Sequence, residues 1–242
     1  MGDSSNWQFL MPLLSPYYRC VSFDLLGFGD SSKPQIRYDI AQQVEFLDQA
    51  IVALKLENCA IVGHSLGGWV ASAYALAHPD RVRALILVAP AGIRDDSFCG
   101  KYDHLRPLLW QTPIVDWVLN LAQPIAPLIR QEKLLSQLRW FRRELNGQPA
   151  ARSFLVDRLR PEDAIDTVEK EIHRLRVPTL VIAGEQDETI PLWHCQTYAR
   201  EIPNAQLQMI PQADHALPQK NSDAIATIVE PFLAQLEVTS DQ

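Results

Sequence analysis

Three residues of types that can perform nucleophilic catalysis occupy distinct local contexts in the chain: Ser65, Asp187 and His215. Ser65 lies in Gly63-His64-Ser65-Leu66-Gly67, between an apolar run and a helical pattern. A serine hydroxyl is a weak nucleophile at neutral pH. It needs a base that takes its proton, and the base needs a third group that fixes its tautomer. The three residue types therefore predict attack of a serine hydroxyl on an electrophilic carbon, assisted by an imidazole and a carboxylate.

The turn at Ser65 is expected to be sharp, because no loop residue separates the apolar run Ala60–Val62 from the helical pattern that begins at Trp69. We interpret the glycines at 63 and 67 as removing Cβ atoms that would clash where the strand and the helix nearly touch. Ser65 is then expected to have a strained backbone, with its hydroxyl lifted from the turn and helix N-terminal amides beside it.

Asp187 and His215 each follow a predicted strand. Asp187 comes soon after Thr179–Ala183, and His215 follows Gln206–Ile210 by a short loop. Glu185 and Glu188 are alternatives to Asp187 and have the character of ordinary loop carboxylates. Of the other histidines, His64 is expected to pack beneath the serine, and surface or packing roles are expected for the rest, which are His78, His104, His173 and His194.

Alternating strand and helix patterns predict the elements that position these residues. Ala84–Val88 is a nearly continuous apolar run, typical of a parallel strand that is covered on both faces. Strands are predicted at Tyr18–Phe23, Ala60–Val62, Ala84–Val88, Thr179–Ala183 and Gln206–Ile210, and helices at Ile40–Leu54, Trp69–His78, Leu192–Ile202 and Ser222–Leu236. This alternation favours an α/β fold with a doubly wound, mostly parallel sheet.

The alternation stops between about residues 91 and 176, where segments rich in Leu and Trp replace it: Leu105–Trp110, Ile114–Leu121 and Lys133–Leu145. We predict a helical cap at residues 94–176, inserted into a core formed by residues 1–93 and 177–242. The last cap helix carries Arg139, Arg142 and Arg143 on the side opposite its leucines. A solvated face is the expected role of these arginines, with contact to a membrane surface as the alternative.

The composition narrows the class of function. The chain has 242 residues, 47% of them hydrophobic, and a formal net charge of -7, which argues against nucleic-acid binding. Cys20, Cys59, Cys99 and Cys195 show neither C-x-x-C pairs nor metal-ligand spacing, so no metal site or disulfide framework is predicted. No signal peptide is recognised and no apolar stretch is long enough to span a bilayer, so a cytoplasmic location is expected.

The motif around Ser65, the segment Gly184-x-x-Asp187-x-x-x-Pro191 and the chain order Ser, Asp, His together resemble the α/β-hydrolase superfamily over essentially the whole sequence. The glycines between Asp24 and Lys33 resemble a loop of this family rather than a dinucleotide-binding motif. Some relatives take the acid from the loop after the preceding strand, which would nominate Asp95 or Asp96. His215 follows Asp214, where the family usually has glycine.

The resemblance also implies an oxyanion hole. One donor would be the backbone N–H of Leu66, and the second would come from a His-Gly loop after an earlier strand. No such loop is found, and Met1–Trp7 is similar to its tail. We therefore hypothesise that the second donor and a central strand, which would lie between Tyr18–Phe23 and the strand before Ser65, are encoded upstream of Met1.

The resemblance implies a serine hydrolase that cleaves a carboxylic ester or a related small acyl or aromatic substrate through an acyl-enzyme, without a cofactor. Ser65 would attack, His215 would transfer the proton and Asp187 would orient His215. Other enzymes with this arrangement are carbon–carbon bond hydrolases, lactonases and cofactor-free perhydrolases. A non-catalytic small-molecule receptor, or an inactive truncated homologue, is the alternative of another class.

Overall fold

The computed structural model describes residues 3–98, 108, 110, 112–127, 130–154 and 166–240. Nine α-helices occur within these residues: α1 (Met11–Leu14), α2 (Ile40–Ala53), α3 (Leu66–Ala77), α4 (Pro113–Ala122), α5 (Glu132–Gly147), α6 (Pro149–Arg152), α7 (Leu192–Glu201), α8 (Leu217–Lys220) and α9 (Ser222–Ser240). The strands are β1 (Cys59–His64), β2 (Val82–Val88), β3 (Thr179–Gly184) and β4 (Ala205–Ile210). The predicted segment Leu105–Trp110, as well as His104 and Cys99, falls largely or wholly outside the described residues.

The four strands form one parallel sheet in the order β1-β2-β3-β4. Val62 is aligned with Ile86, Ile86 with Leu180, and Leu180 with Gln206. In a parallel sheet the carboxyl ends of all strands lie at the same edge. The residues that follow β1, β3 and β4 are thereby brought to one edge, and these are the segments that carry Ser65, Asp187 and His215.

The chain forms two compact units. The sheet unit comprises residues 2–25, 40–94 and 166–242, and the helical unit comprises residues 26–39 and 95–165. The helical unit contains α4, α5 and α6, and its buried residues include Tyr38, Leu145 and Ala150.

Helices cover both faces of the sheet, as expected for a doubly wound fold. One face carries Ile86, Val88, Leu180 and Ile182, which pack in one core cluster with residues of α9, among them Ile225, Val229 and Phe232. Helix α3 packs against strands β1 and β2, and helix α7 packs against strands β3 and β4. Residues 84–88 of β2 are completely buried, which confirms the interpretation of this run as a strand covered on both faces.

The predicted strand at Tyr18–Phe23 is wrong: residues 19–25 form neither a strand nor a helix. A β-strand requires a hydrogen-bonded neighbour, and within the described residues the sheet begins at β1. The segment is held by side-chain packing. Tyr18 and Cys20 contact the core cluster of the sheet, and the ring of Phe23 meets that of Phe46 edge to face, with centroids 6.3 Å apart.

In the described part of the chain, no helix combines the length and the apolar character needed to cross a membrane.

Candidate active site

Ser65 forms the sharp turn between β1 and α3, with φ 54° and ψ -118°. Its backbone is held on both sides. The Ser65 N–H donates to the carbonyl oxygen of Val88 at 3.0 Å, and the Ser65 carbonyl accepts from the N–H groups of Gly68, Trp69 and Ala91 at 3.0 to 3.2 Å. These bonds stabilise a conformation that residues other than glycine rarely adopt, as the sequence predicts.

Only one of the two glycines that were expected to remove a clashing Cβ atom, Gly63, does so. A Cβ atom on Gly63 would lie 2.6 Å from the carbonyl carbon of Gly67 and 2.7 Å from the nitrogen of Gly68, so the absence of a side chain at 63 is required. A Cβ atom on Gly67 would meet nothing within 4 Å, which makes the interpretation of Gly67 wrong. The second close approach belongs instead to Gly68, whose Cβ atom would lie 2.8 Å from Cβ of Pro90.

The structure brings Ser65, His215 and Asp187 together. Nε2 of His215 lies 3.1 Å from Oγ of Ser65, and Nδ1 of His215 lies 2.7 Å from Oδ2 of Asp187. Because a carboxylate oxygen can only accept, Nδ1 carries the hydrogen, and in that tautomer Nε2 can accept from the serine hydroxyl. The side chain of Asp187 is 2% exposed and that of His215 is 23% exposed, so solvent reaches the imidazole but hardly the carboxylate.

The loop after β3 holds Asp187 ionised. Its Oδ1 accepts from the N–H groups of Thr189 and Ile190, both at 2.8 Å. Burial alone would raise the pKa of Asp187, but the hydrogen bond and charge of His215, together with these two N–H donors, lower the pKa below its ordinary value. The N–H of Gln186 donates to the carbonyl of Ala213 at 2.8 Å, which ties this loop to the one that carries His215.

The alternative carboxylates have other contacts. Glu185 accepts from the N–H of Gln212 at 2.9 Å, and Glu188 is exposed. Asp95 accepts from the N–H of Ser97 at 2.9 Å, and Asp96 begins a short 3-10 helix. The carboxylate that contacts the His215 ring is that of Asp187.

Asp214, which stands where the superfamily usually has glycine, organises the loop that carries His215. Its Oδ1 accepts from the N–H of Ala216 at 2.9 Å, and its Oδ2 forms an ion pair with Lys220. The hydrogen bond from Lys220 lowers the pKa of Asp214, with the N–H of Ala216 adding to the effect. Asp214 therefore closes the turn into α8.

His64 makes a contact that sequence reasoning missed. Its Nε2 lies 2.9 Å from the carbonyl oxygen of His215, and the two imidazole rings are tilted against each other with their centroids 4.7 Å apart. The two residues are separated by 151 positions, so no local pattern in the sequence indicates this contact.

The other described histidines lie elsewhere. The ring of His78 is tilted against that of Tyr74, and His78 lies 4.0 Å from Asp48. His173 is an exposed residue of a 3-10 turn, and His194 is buried beside Trp193. The described residues contain no cluster of His, Cys, Asp or Glu that could hold a metal ion.

Leu66 is the first residue of α3, immediately after Ser65. The first N–H groups of an α-helix have no intrahelical acceptor, so the Leu66 N–H is suited to donate to a negative oxygen beside Ser65.

Comparison with known proteins finds related hydrolases. Two relatives are 2-hydroxymuconate semialdehyde hydrolases. The one from Pseudomonas sp. strain CF600 is 31% identical over 98% of this chain and 83% of its own length. The one from Pseudomonas putida is 33% identical over 90% of this chain and 78% of its own length.

Solved structures show the same architecture. A mutant of the meta-cleavage product hydrolase from Pseudomonas fluorescens IP01 has a TM-score of 0.72 at 26% identity, covering 97% of this chain and 86% of that chain. An esterase from Thermogutta terrifontis, at 22% identity, has the same fold, with a TM-score of 0.72 over 97% of this chain and 86% of its own. The sequence model of the alpha/beta hydrolase family matches residues 1–228 of this chain. The chain therefore belongs to the alpha/beta hydrolase family and is a hydrolase.

Proposed function

We propose that Ser65 is the nucleophile of this hydrolase, that His215 is its general base and that Asp187 orients His215. The observation that carries this proposal is the continuous hydrogen-bonded series from Ser65 Oγ to His215 at 3.1 Å and from His215 to Asp187 at 2.7 Å. Side chains that lie 28 and 150 positions apart in sequence meet in the order and with the tautomer that nucleophilic catalysis requires.

In the proposed reaction, Ser65 Oγ bonds to a carbonyl carbon while its proton passes to Nε2 of His215. The N–H of Leu66 stabilises the oxyanion that forms. His215 then gives the proton to the leaving group, and the bond between that group and the carbonyl carbon breaks to leave an acyl-serine. A water molecule, deprotonated by His215, releases the acid and restores Ser65.

We propose a carbon–carbon bond as the bond that is cleaved, in a 2-hydroxy-6-oxo-dienoate of the kind named for the relatives. The support is that three of them, at 28% to 33% identity, are 2-hydroxymuconate semialdehyde or 2-hydroxy-6-oxo-2,4-heptadienoate hydrolases. In such a hydrolysis the hydroxyl of water ends on the carbonyl carbon and a proton ends on the departing carbon. That carbon leaves only if its charge is delocalised. In the 2-oxo tautomer of such a dienoate the departing carbon is a CH2 group, and its charge is spread through the adjacent C=C bond onto the 2-oxo group.

The carboxylic ester expected from the sequence is the second candidate. An alkoxide leaving group needs only the proton that His215 carries, so the same three side chains are sufficient for ester cleavage. In both cases we propose that the molecule that binds at the site is a small acyl compound. We also propose that the protein is located in the cytoplasm.

Two experiments test these proposals. A fluorophosphonate should label the chain on Ser65 and should fail to label the Ser65→Ala variant. An adduct on another residue would refute the assignment of the nucleophile.

The substrate class is tested by comparing 2-hydroxymuconate semialdehyde, followed through the loss of its conjugated absorbance, with p-nitrophenyl acetate. We expect kcat/KM to be at least about tenfold higher for the carbon–carbon substrate. Faster turnover of the ester would favour the second candidate, and binding of both compounds without turnover would refute both candidate substrates.

A further inference from the structure

His64 is the last residue of β1 and directly precedes Ser65. Its Nε2 lies 2.9 Å from the backbone carbonyl oxygen of His215, and its ring lies against the His215 ring at an interplanar angle of 38°. A carbonyl oxygen only accepts hydrogen bonds, so Nε2 of His64 carries the hydrogen. The imidazole of His64 is therefore a donor to the main chain of His215 rather than a second base for Ser65.

Through this contact, the single strand β1 positions both residues of the proton transfer, Ser65 and His215. β1 fixes Ser65 through the peptide bond, and it fixes the main chain of His215 through the His64 side chain. Other contacts of the loop that carries His215 come from the segment after β3 and from α8. The carbonyl oxygen of Ala213 accepts a hydrogen bond from the N–H of Gln186, which follows β3, and Asp214 forms an ion pair with Lys220 in α8.

We propose that His64 is a positioning residue that sets the distance between Nε2 of His215 and Oγ of Ser65. This inference rests on the proposed function, since it concerns the same proton transfer. Removal of the donor would let the loop at His215 move relative to the turn at Ser65. A displacement of about 1 Å at reacting atoms can reduce a rate by about 100-fold.

The electrostatic surroundings keep His64 in the state that this role requires. Burial and the charge of His215 lower the pKa of His64 to about 3, against smaller opposing effects of the bond to the His215 carbonyl and the charge of Asp187. His215 and Asp187 are the titratable side chains among the described residues that act on it. His64 thus stays neutral when His215 takes up the proton of Ser65, and its Nε2–H remains a donor throughout.

The test compares His64→Phe, which keeps a planar ring without a donor, with His64→Gln, which keeps an N–H donor. Fluorophosphonate labelling of each variant is resolved into its maximal rate and its half-saturating concentration. For His64→Phe we expect the maximal rate to fall by about 10- to 100-fold with the half-saturating concentration within about threefold of wild type. His64→Gln should recover a large part of the lost rate.

The outcomes separate this inference from the proposed function. Absence of labelling in the wild-type chain would refute the proposed nucleophile. Normal labelling of the wild type together with an unchanged maximal rate in His64→Phe would refute the positioning role alone. Equal losses in His64→Phe and His64→Gln, with equal thermal stability, would also refute it, because the donor would then make no difference.

A measurement on the wild type does not depend on how the variants fold. The ¹⁵N chemical shifts of the His64 ring report its tautomer and charge directly. We expect a neutral ring protonated at Nε2 between about pH 5 and pH 8. A protonated ring or the Nδ1–H tautomer in this range would overturn the inference.

Discussion

The side chain of Asp187 differs from its neighbours Glu185 and Glu188 in its surroundings rather than in its chemistry. The side chain of Asp187 is 2% exposed and accepts from His215 and from two backbone N–H groups, whereas both glutamates are exposed residues. Only a buried, hydrogen-bonded carboxylate can fix the orientation of the imidazole through the catalytic cycle.

We predict that Asp187→Asn lowers the rate of fluorophosphonate labelling by about 1,000-fold, because an amide favours the wrong tautomer of His215. Glu188→Gln is the matched control, since it makes the same chemical change on the same loop and should leave the rate within about twofold. Similar rates in the two variants would contradict the assignment of Asp187.

The lowered pKa of His64 links stability to pH. The folded value of about 3 lies below the unfolded value of 6.5, so the unfolded chain binds more protons between these values. Stability is then fully present above pH 6.5 and is lost as the pH falls towards 3, with a slope of up to about 1.4 kcal/mol per pH unit from this residue. The lowered pKa of Asp187 adds a further loss of stability as the pH falls below its ordinary value of 3.8, which begins in the acidic part of this range.

Urea unfolding at about pH 7, 5.5 and 4.5 measures this effect. We expect the free energy of unfolding to fall more steeply on acidification for the wild type than for His64→Gln, which cannot titrate at this position. Parallel curves for the two proteins would contradict the low pKa of His64.

At the level of the elements, the contact between β1 and α3 depends on Gly63 and not on Gly67. We predict that Gly63→Ala destabilises the fold by about 2 kcal/mol or more and abolishes labelling of Ser65, because the added Cβ would press on the main chain of Gly67 and Gly68. Gly67→Ala should keep or slightly raise the melting temperature, since alanine favours the helix and meets open space. Thermal unfolding followed by circular dichroism distinguishes the two variants.

Within the helical unit, Arg142 has the opposite environment from the solvated face predicted for it. Its side chain is 4% exposed, forms an ion pair with Asp116, and donates to the carbonyl groups of Leu108, Trp110 and Thr112. Helical periodicity identifies which residues of α5 share a face, but it does not indicate which face is covered. The carbonyl groups that Arg142 satisfies lie more than 25 positions away in sequence.

We predict that Arg142→Ala reduces the hydrogen-exchange protection of α4 by about tenfold or more, because Asp116 and several carbonyl groups lose a charged donor. Arg143→Ala removes an exposed arginine from the same helix and should leave this protection unchanged. Equal protection in the two variants would show that Arg142 does not hold the start of α4.

For the molecule as a whole, the sequence predicts the parts whose signal is local. Local sequence patterns identify β1 to β4, the strands of the described residues, and the turn at Ser65 is recognisable from glycine spacing and the following helix. The fully buried run in β2 is confirmed because a strand covered on both faces leaves no polar positions. The wrong strand at Tyr18–Phe23 has equally good local propensity, but a strand exists only with a partner, and partners are not local.

The candidate site shows the same division. Residue types and strand ends indicate Ser65, Asp187 and His215, while the 2.7 Å and 3.1 Å contacts among them arise only from the parallel alignment of the strands. The bond from His64 to the His215 carbonyl has no counterpart in any motif. A contact between a side chain and a main-chain group far away in sequence is determined by the fold, and no residue pattern in the sequence predicts it.

β1 has a hydrogen-bonded neighbour on one side only within the described residues, and its residues Ala60, Ile61 and Val62 are apolar and partly or fully exposed. A sheet edge of this kind is a template for strand addition between molecules, which leads to aggregation. We expect the molar mass of the 242-residue chain, measured by light scattering, to rise above that of a monomer as the protein concentration increases. Ala60→Lys should suppress this rise, whereas Gln206→Lys, at an exposed position of the already polar edge strand β4, should not.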